Sequence, residues 1–548
     1  MRILFLSFLL VASFSCQNQP SASFAAGDTM GAEALQHDLQ RAQFLSQPKL
    51  AKRMQRLLEL EQQALQLAED EPLKLGSIGS AILDIYAGSQ TGHFAMGRFY
   101  AYVESSEAQA DHDAHLSSLQ QTMTSSGNGK RQSPFQVLTI YDAHTYARTQ
   151  GNSPVGSIYQ STELTPFGFL LVARPQHGPL QQTFFDISHV LQDFRERDAI
   201  ASGDPRQTGN PWSFMRLLAS RMDTAAQAAI GRYLASVQKY DDAVGWLQVA
   251  SRSGNVLANS MLARIYWTQA LAAEDDSERD ELRERSLENY LHAIALGSTD
   301  SMYTLANLYI NDFFGEENRL AAIPLLRQAG DLDHAESLLY LGHLHNIGRE
   351  VEQSVALATT YFERAAALKD PQAILSYGRF LGGLETDNSA VENGQVHSLL
   401  TALADDDNAE AMVVLGNLHA RGVGTRASNS RAVRWYKKAI NEAPDNADIV
   451  NEVAWTLTVS DLAGLKRAKY AKRIMDHLMV DEAMRLRPEY LDTWAAAHAA
   501  SGDFTQAISL QQEAIVQATS QDRDDVLDIL KDHLEQFEAG ATITEQAP

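Results

Sequence analysis

The sequence predicts a mainly α-helical protein, in which an α-solenoid of helical hairpins follows a helical segment and a small α+β module. Three observations predict it. Small residues recur at one place in successive amphipathic segments, Gly231, Ala263, Ala306, Gly342, Gly378, Gly416 and Ala454, 32 to 43 residues apart. Each such segment is followed by another in which large residues precede a small one: Trp246-Leu247 with Ala250, Leu325-Leu326 with Ala329, Trp435-Tyr436 with Ala439. Between the two segments of the clearest unit stand Gly422 and Gly424, which tolerate the positive φ needed to end a helix and reverse the chain.

The N-terminus reads as an export segment. Met1-Arg2 gives a short basic start, and Ile3 to Val11 is apolar except for Ser7. That run is too short for a permanent span and fits a secretory signal over 1–16, with a linker over 17–30. The string Ser13 to Cys16 resembles a bacterial lipoprotein cleavage box, although Ser13 stands where such boxes carry a branched apolar residue. The resemblance implies lipidation of Cys16 and, because Gln17 follows, an outer-membrane lipoprotein. Cleavage near Ala25 or Ala26 would instead leave a soluble periplasmic protein.

Residues 31–105 carry helical spacing: Leu50, Met54, Leu57 and Leu58, then Leu60, Ala64 and Leu67, with a second helical segment from Leu75 to Tyr102. The Ser-, Gln- and Gly-rich stretch 106–133 reads as a linker. In 134–200 the composition changes. Leu138 to Gln150 has helical character, while Val155–Tyr159, Phe167–Ala173 and Leu180–Phe185 are short β-branched or aromatic runs bounded by Gly and Pro, as strands are.

The repeats fill 222–520. In Ala409 to Gly424, Ala411, Leu415 and Leu418 share one helical face; in Arg431 to Ile440, Ala432, Trp435, Tyr436 and Ala439 do. A second unit pairs Ala335–Gly348 with the helix of Tyr361, Phe362 and Ala365. One hairpin cannot bury its apolar face alone, so neighbours must stack. These residues resemble Sel1-like repeats, relatives of the tetratricopeptide repeat, and the hairpin Tyr490–Ile515 looks like a plain tetratricopeptide repeat. The resemblance implies a right-handed solenoid that scaffolds other proteins of the cell envelope, with no cofactor. Gly342, Gly378, Gly416, Tyr361, Phe362, Trp435 and Tyr436 are the expected packing positions, with Trp435 opposite Gly416. Trp267, beside the consensus Tyr266, is the expected surface anchor for a partner. Residues 521–548 should form a last helix and a frayed polar tail.

Composition narrows the function further. A net charge of −24 over 548 residues repels phosphate backbones and anionic lipid, so neither nucleic acid nor a basic membrane face is expected. Any membrane association would come through the lipid anchor. The single cysteine allows no internal disulfide. Asp111, His112, Asp113 and His115 have metal-ligand chemistry, but in a polar linker they read as solvated. His345 and His419 occupy the repeat position of Tyr266 and Tyr309, which makes them packing residues. Gly76–Ser80 lacks the strand that a nucleophile elbow requires, and no carboxylate pair can be assigned to acid–base work. The sequence therefore points to a non-enzymatic scaffold. The alternative is a ligand-binding or catalytic module at 134–200 that the repeats position.

Overall fold

The computed structural model describes residues 26–161, 165–190, 192, 215–216, 218–220, 223–383 and 394–545; Cys16 and the signal segment lie outside them. The chain divides into two compact units, 1–297 and 298–548.

The first unit opens with α1 (Ala26–Ser46), α2 (Leu50–Leu67), α3 (Pro72–Ile85) and α4 (Gln90–Tyr102). The helix expected over Leu75–Tyr102 is two helices, because Ser89 caps α4 by accepting from the amide of Gly92. Gly76–Ser80 lies within α3, where glycine serves packing: a methyl on Gly76 would stand 2.8 Å from the ring of Phe99. The expected linker 106–133 is, over most of its length, the helix α5 (Ser106–Ser125). Its composition misleads because only Leu116, Leu119 and Met123 are buried, a narrow stripe on an otherwise wet helix.

The module that follows consists of α6 (Ile140–Thr149) and a four-stranded sheet of β1 (Phe135–Gln136), β2 (Ser153–Gln160), β3 (Gly168–Arg174) and β4 (Gln181–Asp186). The strand order is β1-β4-β3-β2, with β1 parallel to β4 and the other pairs antiparallel. The two hairpins α7 (Thr224–Ser236) with α8 (Tyr240–Arg252) and α9 (Val256–Ala272) with α10 (Asp276–Ala295) complete this unit. They are fastened to the sheet. Ile158 shares a core with Ala228, Leu247 and Leu262. Asn255 donates to the carbonyl of Ser157 at 2.7 Å, and the hydroxyl of Tyr159 donates to Asp223 at 2.9 Å. The charge-rich stretch 276–285 supplies the first half of α10, which is 20 residues long.

The second unit is a run of hairpins. The helices are α11 (Thr299–Ile310), α12 (Ala322–Asp331), α13 (Ala335–Ile347), α14 (Val355–Ala367), α15 (Pro371–Gly382) and α16 (Gly394–Asp405). They continue as α17 (Ala409–Arg421), α18 (Asn429–Glu442), α19 (Ala447–Val459), α20 (Ala468–Leu478), α21 (Pro488–Ala500), α22 (Phe504–Ser520) and α23 (Asp524–Glu538). First helices start on side-chain caps, as at Asp370, Asn408 and Asn446. Gly348 and Gly422 end α13 and α17 at φ 73° and 81°, the left-handed turn expected of them.

Within each hairpin the small position of the first helix receives one large side chain of the second. Leu247 faces Gly231, Phe362 faces Gly342, Leu400 faces Gly378 and Tyr436 faces Gly416. A methyl on Gly342 would sit 3.0 Å from the Phe362 ring, and one on Gly416 would collide with the ring of Tyr436. The residue just before each of these, Trp246, Tyr361, Leu399 and Trp435, is only half-buried. Trp435 is therefore not the residue opposite Gly416. One step along a helix turns the side chain by about 100°, and it is Tyr436 that points into the gap.

The tail is also unlike the expectation. Ala541–Glu545 does not fray; it runs beside the end of α19, with Ile543 buried and Ser460 bridged to Glu545 in parallel.

Candidate protein-interaction groove

In the first helix of each of the first two hairpins, the residue after the small position is exposed. In α7 and α9 these residues are arginines, Arg232 after Gly231 and Arg264 after Ala263. They line one groove of about 270 Å³ with Ser236, Tyr240, Met261 and Thr268. Arg232 is aimed by a bond from its Nη2 to the carbonyl of Tyr159, 3.1 Å away on the sheet. Among the described residues neither guanidinium is paired with a carboxylate. Two fork-shaped cations above an apolar floor suit a carboxylate-bearing segment, which guanidinium groups bind with two parallel bonds. The sequence did carry a signal for this pair, namely two arginines in the same repeat register, but it is legible only once the small position is known to face a neighbour.

Trp267, the expected anchor, lies on α9 next to Thr268 and is half-buried. Gly342, Gly378, Gly416, Phe362 and Tyr436 take the packing positions expected of them, and Tyr436 also donates from its hydroxyl to Asn417 at 2.7 Å. Tyr361 is half-buried, and His345 stacks on it at 5.6 Å between ring centres. His345 is itself buried and donates from Nδ1 to the carbonyl of Glu352. His419 is buried in the equivalent place, and its Nε2 meets Nε2 of His397 at 3.3 Å.

His112 and His115 stand on a helix and not in a linker; His112 is half-buried and His115 is exposed, as expected. They sit on α5 against α4, where Nδ1 of His112 meets Nδ1 of His93 at 3.0 Å and the ring of His115 stacks on that of His93. The Nε2 of His93 donates to the carbonyl of Ala87, so its Nδ1 acts as the acceptor toward His112. Burial, reinforced by the neighbouring imidazoles, lowers His93 to about 4. Among the described residues, no group of three or more His, Cys, Asp or Glu is arranged to hold a metal ion. The sequence concealed this cluster because His93 stands on a different helix.

A buried carboxylate pair also escaped the sequence reading. Glu61 accepts from Ser89 at 2.6 Å and from Thr139 at 2.7 Å, the hydroxyls that cap α4 and α6. Asp142 accepts from the amide of Gln90 at 3.0 Å. Burial raises both, Asp142 to about 7. Each oxygen with a partner here is satisfied by a helix start, so the pair joins α2, α4 and α6, with Asp142 at the wall of a cavity of about 210 Å³ that His37, Arg41 and Tyr86 also line.

The Sel1 repeat matches residues 335–370 and 409–443. No curated protein matches the chain. Among solved structures it is similar to a Sel1 repeat protein from Oxalobacter formigenes, at 14% identity and a TM-score of 0.38, covering 58% of this chain and 91% of that one. It is similar to c5321, a protective antigen of uropathogenic Escherichia coli strains displaying an SLR fold, at 14% identity and a TM-score of 0.33, covering 86% and 97%. Yeast Tom70 is similar at 12% identity and a TM-score of 0.32, covering 88% and 96%. The chain thus carries Sel1 repeats at 335–370 and 409–443, set in a run of helical hairpins with the same small-against-large register.

Proposed function

We propose that this protein is a non-enzymatic scaffold of the bacterial cell envelope, held by a lipid on Cys16, that binds another protein through its repeats. Sel1 and tetratricopeptide repeats are in general protein-interaction folds. The observation that carries the reading is the groove between α7 and α9: two guanidinium groups without carboxylate partners face one slot in a chain whose net charge is −24. The partner is then an extended segment bearing carboxylates. Reversing both charges, Arg232→Glu with Arg264→Glu, should abolish capture of the partner from envelope extracts and leave the helical circular dichroism unchanged. Capture that survives the reversal removes the groove from the account. The anchor is tested separately. Labelled fatty acid should enter the wild-type chain but not Cys16→Ala, and an unlabelled mature protein beginning near Ala26 would contradict it.

A second reading has one observation in its favour. An open cleft of about 490 Å³ lies in the α+β module, lined by the aromatic rings of Phe135 and Tyr146 and the amides of Gln150, Asn152, Gln181 and Gln182. Under that reading Gln150→Ala, and not the arginine reversal, would abolish ligand binding.

A further inference from the structure

In the second unit, the segment after α23 shows what kind of chain its surface accepts. Gly540, at φ 71°, turns the chain out of the helix, and residues 541–545 then run beside the end of α19. The amide of Glu545 donates to the carbonyl of Val459 at 2.8 Å, and the amide of Asp461 donates to the carbonyl of Glu545 at 2.8 Å. Ile543 is 5% exposed and belongs to the apolar core of the unit, whereas Thr542, Thr544 and Glu545 are exposed. The carboxylate of Glu545 accepts from Nε1 of Trp455 at 2.9 Å, and Lys466 reaches Thr544 at 3.4 Å. Trp455 holds the position after the small residue Ala454, the register that places Arg232 and Arg264 in the groove of the first unit.

We infer that the end of α19, with Trp455 and Lys466, is a docking site for an extended segment carrying a β-branched apolar residue and, two places on, an acid. In this chain 541–545 occupies it as an internal ligand. The recognition is that of an added strand. Main-chain bonds to an open backbone edge hold the segment, a pocket for one side chain selects the apolar residue, and an indole N–H selects the acid, with Lys466 on the hydroxyl of Thr544 beside it. Two backbone bonds, one buried side chain and two exposed side-chain contacts hold the segment, whereas the helices beneath it are buried along whole faces. It opens more easily than they do and yields the edge to a partner segment of the same pattern. A tethered segment competes at an effective concentration of about millimolar, so the partner gains the site only by binding more tightly or by displacing the tail from a second contact. This surface is separate from the arginine groove, and the inference stands or falls independently of it.

The test uses the full chain labelled with 5-fluorotryptophan, with the Trp455 resonance assigned by Trp455→Phe. In Ile543→Asp/Glu545→Lys the resonance should move as the tail leaves. A peptide of residues 540–545 at millimolar concentration should return it toward the wild-type position. The same peptide should leave the wild-type resonance in place, because the tethered copy already fills the site with the same side chains. A peptide carrying Asp and Lys in place of the Ile and Glu should do nothing. If the folded variant ignores the peptide, or responds equally to both peptides, the docking site is refuted. If the wild-type chain instead dimerises at high concentration through Ile543, the occupant is a second copy and the partner assignment is overturned. Hydrogen exchange on the wild type decides the matter without any variant. The amides of Asp461 and Glu545 should exchange at least about tenfold faster than the interior of α19, and equal protection would make the tail a fixed element.

Discussion

At the scale of the residue, the repeat is a contact between a missing side chain and a large one. Tyr436 is fully buried against Gly416, and its hydroxyl is satisfied by Asn417. Replacing Tyr436 with Ala opens a cavity and strands Asn417, and should cost about 3–5 kcal/mol. Trp435→Ala should cost only about 1 kcal/mol, since Trp435 is half-buried and holds Lys438 over its ring at 4.3 Å. Gly416→Ala drives a methyl into the Tyr436 ring and should cost about 1–3 kcal/mol. Equal losses in Tyr436→Ala and Trp435→Ala, measured by chemical denaturation, would contradict the register. The spacing of small residues revealed this contact, but not which of two adjacent large residues makes it. Period 3.6 places both near one face, and only the neighbouring helix decides between them.

At the scale of the element, legibility followed the strength of the local pattern. The runs Val155–Tyr159, Phe167–Ala173 and Leu180–Phe185 became β2, β3 and β4 within a residue or two. The two residues of β1 were too few to carry a period, and α5 buries too narrow a stripe to show in its composition. The docked tail depends on an edge some 85 residues earlier, which no local rule sees. The pair Glu61 and Asp142 was hidden for the same reason, and it makes a pH prediction. Both carboxyls are raised in the folded protein by burial, so their contribution to stability is present below the ordinary carboxylate range. It is lost as pH rises through about 7 at Asp142. Asp142→Asn keeps an acceptor for Gln90 and cannot ionise. Its cost in thermal stability should therefore be larger at pH 5 than at pH 8. A cost that increases toward pH 8 would mean that Asp142 is held as a satisfied anion.

At the scale of the whole molecule, the chain is two units with nearest-neighbour repeats in each, and damage should stay local. In hydrogen exchange read segment by segment, Tyr436→Ala should deprotect the helices around 371–478 and leave 50–149 unchanged, and an even loss over both units would contradict the division. The proposed function rests on the first unit, where the sheet aims Arg232 and the repeat register adds Arg264. The most direct measurement places a photo-crosslinking amino acid at Thr268, inside the groove, and at Thr359, half-buried on α14, in chains expressed in the source cells. The account predicts one dominant cross-linked protein from Thr268, none from Thr359, and loss of that product when Arg232 and Arg264 are both changed to Glu. A product that persists through the charge reversal, or that forms equally from both positions, would contradict it.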